Sequence, residues 1–122
     1  MKIAVSATGN TMESQMDQRF GRAASFIVVD AQTMEYEVIN NTAAASSGGA
    51  GISAAQLVAD KDAEAVITGN VGPNAMNVLK AAKIEIYKGR AASVKENVEL
   101  FIKGELEKIH TNVPAHFGMG AK

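Results

Sequence analysis

Cysteine and tryptophan are absent from this 122-residue chain, proline occurs twice, and the two histidines, His110 and His116, both lie near its C-terminal end. Without cysteine there is no disulfide, no thiol nucleophile, no zinc ribbon and no thiolate-ligated iron–sulfur cluster. The histidines stand on either side of Pro114 and do not share a helical face, so a conventional all-protein transition-metal site is not expected. A frayed polar tail accounts for both. Charge of one sign is lacking too: 12 Lys and Arg against 13 Asp and Glu leave a net charge of −1. No global field then recruits nucleic acid or an anionic membrane, and charge-based recognition has to be local. No apolar run approaches the roughly 20 residues that span a bilayer. Met1-Lys2-Ile3-Ala4-Val5 enters a strand pattern at once and does not read as a signal peptide. The expected location is the cytoplasm.

What is present is ordinary for a globular chain, with 47% hydrophobic and 20% charged residues. That suffices for one domain with a single core. The expected organisation is a domain over residues 1–108 followed by a flexible C-terminal tail, 109–122.

The most informative stretch runs from Glu64 to Ala82. Ala65-Val66-Ile67-Thr68 reads as a buried strand and Gly69-Asn70-Val71-Gly72-Pro73-Asn74 as a break. Ala75, Val78, Leu79 and Ala82 then recur at i, i+3, i+4, i+7, one face of a helix. A strand that passes through a glycine-bearing turn into a helix leaves first-turn amides without internal partners. The helix dipole favours negative charge at that point. This stretch is therefore a candidate wall of an anion-binding crevice.

The other elements follow from period and punctuation. Residues 2–8, 25–30 and 34–40 read as three strands. In the third, Met34, Tyr36 and Val38 alternate with Glu35 and Glu37, as on a half-exposed edge. Long polar loops cover 9–24 and 41–51, and loops of that length are usually functional or mobile. Residues 52–59 read as a short helix and 84–87 as a fifth strand. Ser93-Val94-Lys95-Glu96 has the capping-box pattern of a last helix. Its inner face is expected to carry Val94, Val98, Phe101 and Ile102, and its end falls between Lys103 and Lys108.

The order βββαβαβα fits a mixed five-stranded sheet ordered 3-2-1-4-5, with only the second strand antiparallel and helices on both faces. Strands that follow helices take right-handed parallel crossovers. Four connections then meet at one edge, off the C-terminal strand ends, where open α/β sheets bind ligands. They bring together the cations Arg19, Arg22, Lys88 and Arg90. They also bring two amide-rich runs, Ser46-Ser47-Gly48-Gly49-Ala50-Gly51 and Gly69-Asn70-Val71-Gly72, of the kind that binds anions. Each feature alone has a plainer reading. The arginines are solvated, Phe20 plugs the core, Met12 and Met16 pack, and the glycines allow tight turns. The glycine runs match neither G-x-G-x-x-G nor the P-loop. No nucleophile–base pair is present, the first strand has no carboxylate for a two-metal site, and Asp30 falls at the opposite edge. The edge reads as a binding site without a reaction.

At these residues the chain resembles a known family. The short N-terminal strand, Arg19-Phe20-Gly21-Arg22-Ala23 before Ser25-Phe26-Ile27-Val28-Val29-Asp30, Gly48-Gly49-Ala50-Gly51 before a helix, and the run from Val66 to Ala75 are similar to the dinitrogenase iron–molybdenum cofactor biosynthesis family, over roughly residues 1 to 105. That family includes nitrogenase accessory factors and orange protein-like carriers. The resemblance implies a three-layer α/β/α, ribonuclease H-like fold with the same 3-2-1-4-5 order. It also implies a non-catalytic carrier of an anionic, molybdenum-containing metal–sulfur cluster, of Mo–Cu sulfide or Fe–Mo–S type, bound non-covalently. Cluster-donor or acceptor proteins would be its partners, and a monomer is expected. Some relatives carry a cysteine pair or a cluster-binding histidine; this chain has no cysteine.

A thiometallate whose metals are saturated by sulfide is a bulky anion. It needs positive charge, amide donors and some apolar surface. The residues expected to supply them are Arg19, Phe20, Gly21, Arg22, Ser46, Ser47, Gly48, Gly49, Gly51, Gly69, Asn70, Gly72, Asn74, Lys88 and Arg90. A second reading is a small regulatory or adaptor domain that binds a nucleotide, phosphate or partner protein at the same edge. A ribonuclease H-like nuclease is a third, opposed by the missing carboxylate of the first strand.

Overall fold

A computed structural model of the protein describes residues 1–42 and 49–110. Its elements are β1 (Lys2–Ala7), β2 (Ser25–Asp30), β3 (Tyr36–Asn40), α1 (Ala50–Asp60), β4 (Ala65–Thr68), α2 (Pro73–Ala81), β5 (Glu85–Lys88), α3 (Val94–Ile102) and β6 (Glu107–Lys108). They form one sheet in the order β3-β2-β1-β4-β5-β6. The β1–β4 and β4–β5 pairs are parallel, while β2 runs antiparallel to both β1 and β3. The expected order and strand directions are therefore present.

Strand period explains the layering. Alternate residues of the inner strands face opposite ways. Ala4, Phe26, Val28, Val66 and Ile86 join α1 and α2 in one core. Ile3, Val5, Ile27, Val29, Ala65 and Ile67 join Val94 and Val98 of α3 in the other. Strands buried on both faces read as near-continuous apolar runs, which is why β1, β2 and β4 were legible.

Several boundaries differ from the sequence reading. The third strand begins at Tyr36, not Met34, because Asp30 Oδ1 accepts from the amides of Gln32 and Thr33 and closes a turn there. Met34 then takes φ 65°, which no strand residue adopts, and Tyr36 is 47% exposed. The first helix starts two residues early, at Ala50, after Gly49 at φ 75°.

The last helix ends at Ile102, and Ile102 points outward at 52% exposure. Its inner face is Val94, Asn97 and Val98, with Phe101 half-buried. Gly104 at φ 75° closes it as a Schellman motif, with Gly104 N donating to Phe101 O and Glu105 N to Leu100 O, both at 2.9 Å. The chain released there forms a sixth strand, β6, antiparallel to β5, that the sequence did not reveal. Ile109 still packs on the core, and its N–H donates to Ile86 O at 2.7 Å. On α2, Ala75, Met76 and Leu79 are buried, Val78 is half-buried and Ala82 is exposed. The rest of the expected tail, 111–122 with His116, lies outside the described residues. Among the described residues no helix is long and apolar enough to cross a membrane.

The capping box is formed in full. Ser93 Oγ accepts from Glu96 N, and Glu96 Oε1 accepts from Ser93 N, each at 3.1 Å. These bonds lower the Glu96 carboxyl below the ordinary 4.5. Ser93→Ala should cost about 0.5–2 kcal/mol in urea unfolding. A depressed acid contributes stability above its unfolded value and loses it as pH falls through its folded value. The advantage of wild type over Glu96→Gln should therefore disappear on acidification below that ordinary value, and a constant difference would contradict the assignment.

Candidate functional site

The C-terminal ends of β1, β3, β4 and β5 all open on one edge, since Ala7 pairs with Ser25, Ser25 with Asn40, and Thr68 with Lys88. The described parts of the four connections meet there as expected, and Asp30, paired with Lys2, lies at the opposite edge.

The first loop is held down from beneath. Ser6 and Thr68, both fully buried at the C-terminal ends of adjacent strands, one residue before the end of β1 and at the end of β4, join hydroxyl to hydroxyl at 2.7 Å. Ser6 Oγ also donates to the Asp17 carbonyl at 2.6 Å, and Asp17 N donates to Ser6 O at 2.8 Å. Ser6 has one hydroxyl proton, so Thr68 is the donor between the two hydroxyls. Beside this, Arg19 and Asn70 form a parallel bridge, with Asn70 N donating to Gln18 O at 2.7 Å and Phe20 N to Asn70 O at 3.2 Å. Gly69 permits that approach, because a Cβ there would stand 2.8 Å from the Gln18 carbonyl oxygen.

The same loop then touches the start of α1, which in turn touches the start of α2. A Cβ on Gly21 would lie 3.0 Å from Gly51 N and Cα, and a Cβ on Gly51 would lie 3.2 Å from Ala75 Cβ in the first turn of α2. Asn41 Nδ2 fixes the loop by donating to the carbonyls of Gly21 (3.1 Å) and Ala23 (2.9 Å). Arg19, Gly21, Gly51, Gly69, Asn70 and the α2 start with Asn74 thus come together. Gly72 is the N-cap of α2 and has open space where a Cβ would sit, so its backbone conformation, φ −72°, does not require glycine.

The three helix starts differ. Neither Gly49 nor Gly72 supplies a side-chain cap, and neither α1 nor α2 has an acidic residue in its first turn. Pro73 at the first position of α2 has no N–H to satisfy. The start of α3 is closed instead: besides the capping box, Val94 N donates to Ser14 O at 2.8 Å and Lys95 N to Met12 O at 2.9 Å. Met12 and Met16 are buried under that loop and are packing residues.

The expected cations do not act as one cluster. Arg19, 67% exposed at its side chain, is gripped by buried Asp17, whose Oδ1 lies 3.2 Å from Nε. That hydrogen bond, and then the carboxylate's charge, raise the arginine's already high pKa. Arg22 is exposed on the turn that follows Phe20. Lys88 and Arg90 sit at the far strand end and line a separate cleft with Gly89, Glu105 and Glu107. Arg90 Nη2 donates to Glu105 O at 3.1 Å. Phe20 is 1% exposed, with its ring 5.1 Å from that of Phe26, so it supports the loop from below rather than presenting its ring at the edge. Ser46, Ser47 and Gly48 lie outside the described residues.

Sequence reasoning missed Ser6, Asp17, Thr68 and Asn97. The signal available was a polar residue inside an apolar period. Asn97 is fully buried, accepts from Arg90 N at 2.7 Å, and donates to the carbonyls of Arg90 and Ser93 at 3.1 and 3.0 Å. Gly89 is needed beside it, since a Cβ would stand 2.8 Å from Ile67 Cγ2.

The fold and this edge define a class: a three-layer α/β/α domain with 3-2-1-4-5 order at its centre and an amide-lined switch-point edge. Residues 1–104 match the family described as dinitrogenase iron-molybdenum cofactor, and the chain belongs to that family. It is similar to the apo form of the orange protein from Desulfovibrio gigas, at 40% identity and a TM-score of 0.88, over 91% of this chain and 94% of that one. A Thermotoga structure given as a NifB protein of the DUF35 family superposes with a TM-score of 0.83 at 33% identity, covering 93% and 97% of the two chains. An uncharacterized protein of Methanocaldococcus jannaschii is 36% identical over 111 residues, 88% of this chain and 91% of the relative.

Proposed function

We propose that this chain binds and carries an anionic, molybdenum-containing metal–sulfur cluster, of Mo–Cu sulfide or Fe–Mo–S type, without covalent ligation and without a reaction of its own. One observation carries the reading. The neighbouring starts of α1 and α2 meet at Gly51 with glycine N-caps and no side-chain acceptor among the described residues, whereas α3 is closed. Two dipoles and their first-turn amides then face one place. Membership of the iron–molybdenum cofactor family and the likeness to the orange protein support a cluster as the cargo.

The donor set fits such a cargo. Among the described residues no three His, Cys, Asp or Glu gather as metal ligands, and the sequence has no cysteine. A cluster already saturated by sulfide asks instead for N–H donors and positive potential. Arg19, Arg22 and the amides around Gly21, Gly51, Asn70 and Asn74 would hold it, while Lys88 and Arg90 line their own cleft at the far strand end. Each exposed helix start contributes only about 0.3–1 kcal/mol. Affinity is then modest and sensitive to salt, which suits transfer between donor and acceptor proteins.

Apoprotein mixed with tetrathiomolybdate and copper should acquire visible absorption that co-elutes with it through a desalting column. Metal that passes through unbound would sink the reading, and retention of ATP or phosphate in its place would favour an adaptor. Arg19→Glu or Arg22→Glu should lower retained molybdenum on the order of tenfold, given about 1 kcal/mol per contacting unit charge in water. Lys61→Glu is the control. It sits past the C-terminal end of α1, about 16 Å from the helix start by helical rise, paired with Glu37 at 2.6 Å. Equal loading in all three variants would place the site elsewhere.

A further inference from the structure

Among the described residues Asp17 is the only buried carboxylate, and it lies at the edge just assigned to an anion. A negative charge there opposes the cargo, so its presence needs a cause. Both of its oxygens are turned to one residue. Oδ1 accepts from Arg19 N at 2.9 Å and from Nε at 3.2 Å, and Oδ2 accepts from Nη2 at 3.2 Å. The fork is itself immobilised, because Ser6 holds the Asp17 backbone through both its N–H and its carbonyl. Arg19 is bridged through its backbone to Asn70, at the turn into α2.

A guanidinium has five donors. The side-on fork uses two of its side-chain donors, leaving both Nη1 hydrogens and one Nη2 hydrogen on a side chain 67% exposed. An ion pair with one partner exposed is a poor source of stability, because solvent screening and the ordering of a long side chain offset the attraction. What the geometry does provide is a fixed direction for those three donors. A long side chain ordered before binding loses less freedom when the ligand arrives.

We propose that Asp17 is a positioning residue, holding the Arg19 guanidinium side-on so that its outer edge faces an anion seated at the starts of α1 and α2. The proposal rests on the anion-carrier reading of the edge. It separates cleanly from plain electrostatics, because the two predict opposite signs. Asp17→Asn removes a negative charge, which by Coulomb attraction alone strengthens anion binding. Loss of positioning weakens it.

The test loads wild type, Asp17→Asn, Arg19→Lys, Arg19→Ala and Asp17→Asn/Arg19→Ala with tetrathiomolybdate plus copper, with retention measured by equilibrium dialysis and folding by urea midpoints. Asp17→Asn should weaken retention about tenfold, within the range of coupling between contacting residues. Arg19→Lys should weaken it similarly, because lysine keeps the charge but not the fork. In the Arg19→Ala background Asp17→Asn should leave retention unchanged or tighter, a reversal that a purely structural role would not produce. Wild type that retains the metals while Asp17→Asn retains them as well or better overturns the positioning role alone. Wild type that retains nothing overturns it together with the reading beneath it.

Discussion

Phe20→Ala should lower the unfolding free energy by about 3–5 kcal/mol, the cost of deleting a buried aromatic ring and leaving a cavity. Phe20 is 1% exposed and packs at 5.1 Å against Phe26, in the core that α1 and α2 cover. The ring hangs from the segment that carries Arg19, Gly21 and Arg22, so the cavity would open directly under the candidate site. Loading with thiomolybdate should fall as well, through a loosened loop rather than a lost contact. Phe20→Leu separates the two effects. It keeps most of the volume, should cost less than the alanine variant, and should keep loading near wild type. Urea melts and dialysis on both variants check this. A leucine variant that folds well and binds nothing would show that the ring itself meets the ligand.

Asn97→Ala should cost about 3 kcal/mol, from three good hydrogen bonds at roughly 1 kcal/mol each and the polar groups left behind. Asn97 is the inward residue of α3 that joins the helix to the turn after β5, accepting from Arg90 N and donating to the carbonyls of Arg90 and Ser93. Asn97→Asp should not rescue it, because a carboxylate accepts from Arg90 N but cannot donate to the two carbonyls. Amide hydrogen exchange at Arg90 should speed up in both variants. An Asn97→Asp protein as stable as wild type would contradict this account of the turn.

Much of the architecture was open to direct reading. The span Ala65–Thr68 appears as a strand with the expected limits, and Ser25–Asp30 likewise. Both are central, so their sequences are apolar on both faces and bounded by polar turns. The sheet order followed from which strands had helices before them. Residues at the margins were less legible. Met34 reads as strand by alternation, yet the side chain of Asp30 captures the turn and moves the start to Tyr36. Ile102 reads as inward by hydrophobicity, yet Asn97 takes the inner position four residues after Ser93 because its amide has carbonyls to serve. A two-residue strand such as β6 has no period to detect.

The candidate edge divides in the same way. Glycine runs before helices point to amide sites, and Gly21, Gly51, Gly69 and Asn70 do come together. Counting cations did not foresee that Arg19 is held by Asp17 or that Arg90 turns to Glu105. Such pairings depend on side-chain direction, which no spacing rule supplies.

By itself the sequence determined the order of elements, the placing of helices on both faces of the sheet, and the exclusion of cysteine chemistry, because each follows from local period or from composition; that the core divides in two across the sheet is a finding of the structure. Only the tertiary structure decided which helix starts are filled by another loop among the described residues. All three helices begin at the same edge; the capping box of α3 is legible in its sequence, but the amides of Val94 and Lys95 that a distant loop takes are not. The loop from Met12 to Ser14 folds over α3 and fills its first turn. The loop from Asp17 to Gly21 instead lies against α1 and α2 without capping either. That difference is set by long-range contacts through Ser6, Thr68 and Asn70, residues distant in the chain that adjacent strand ends bring within hydrogen-bonding reach.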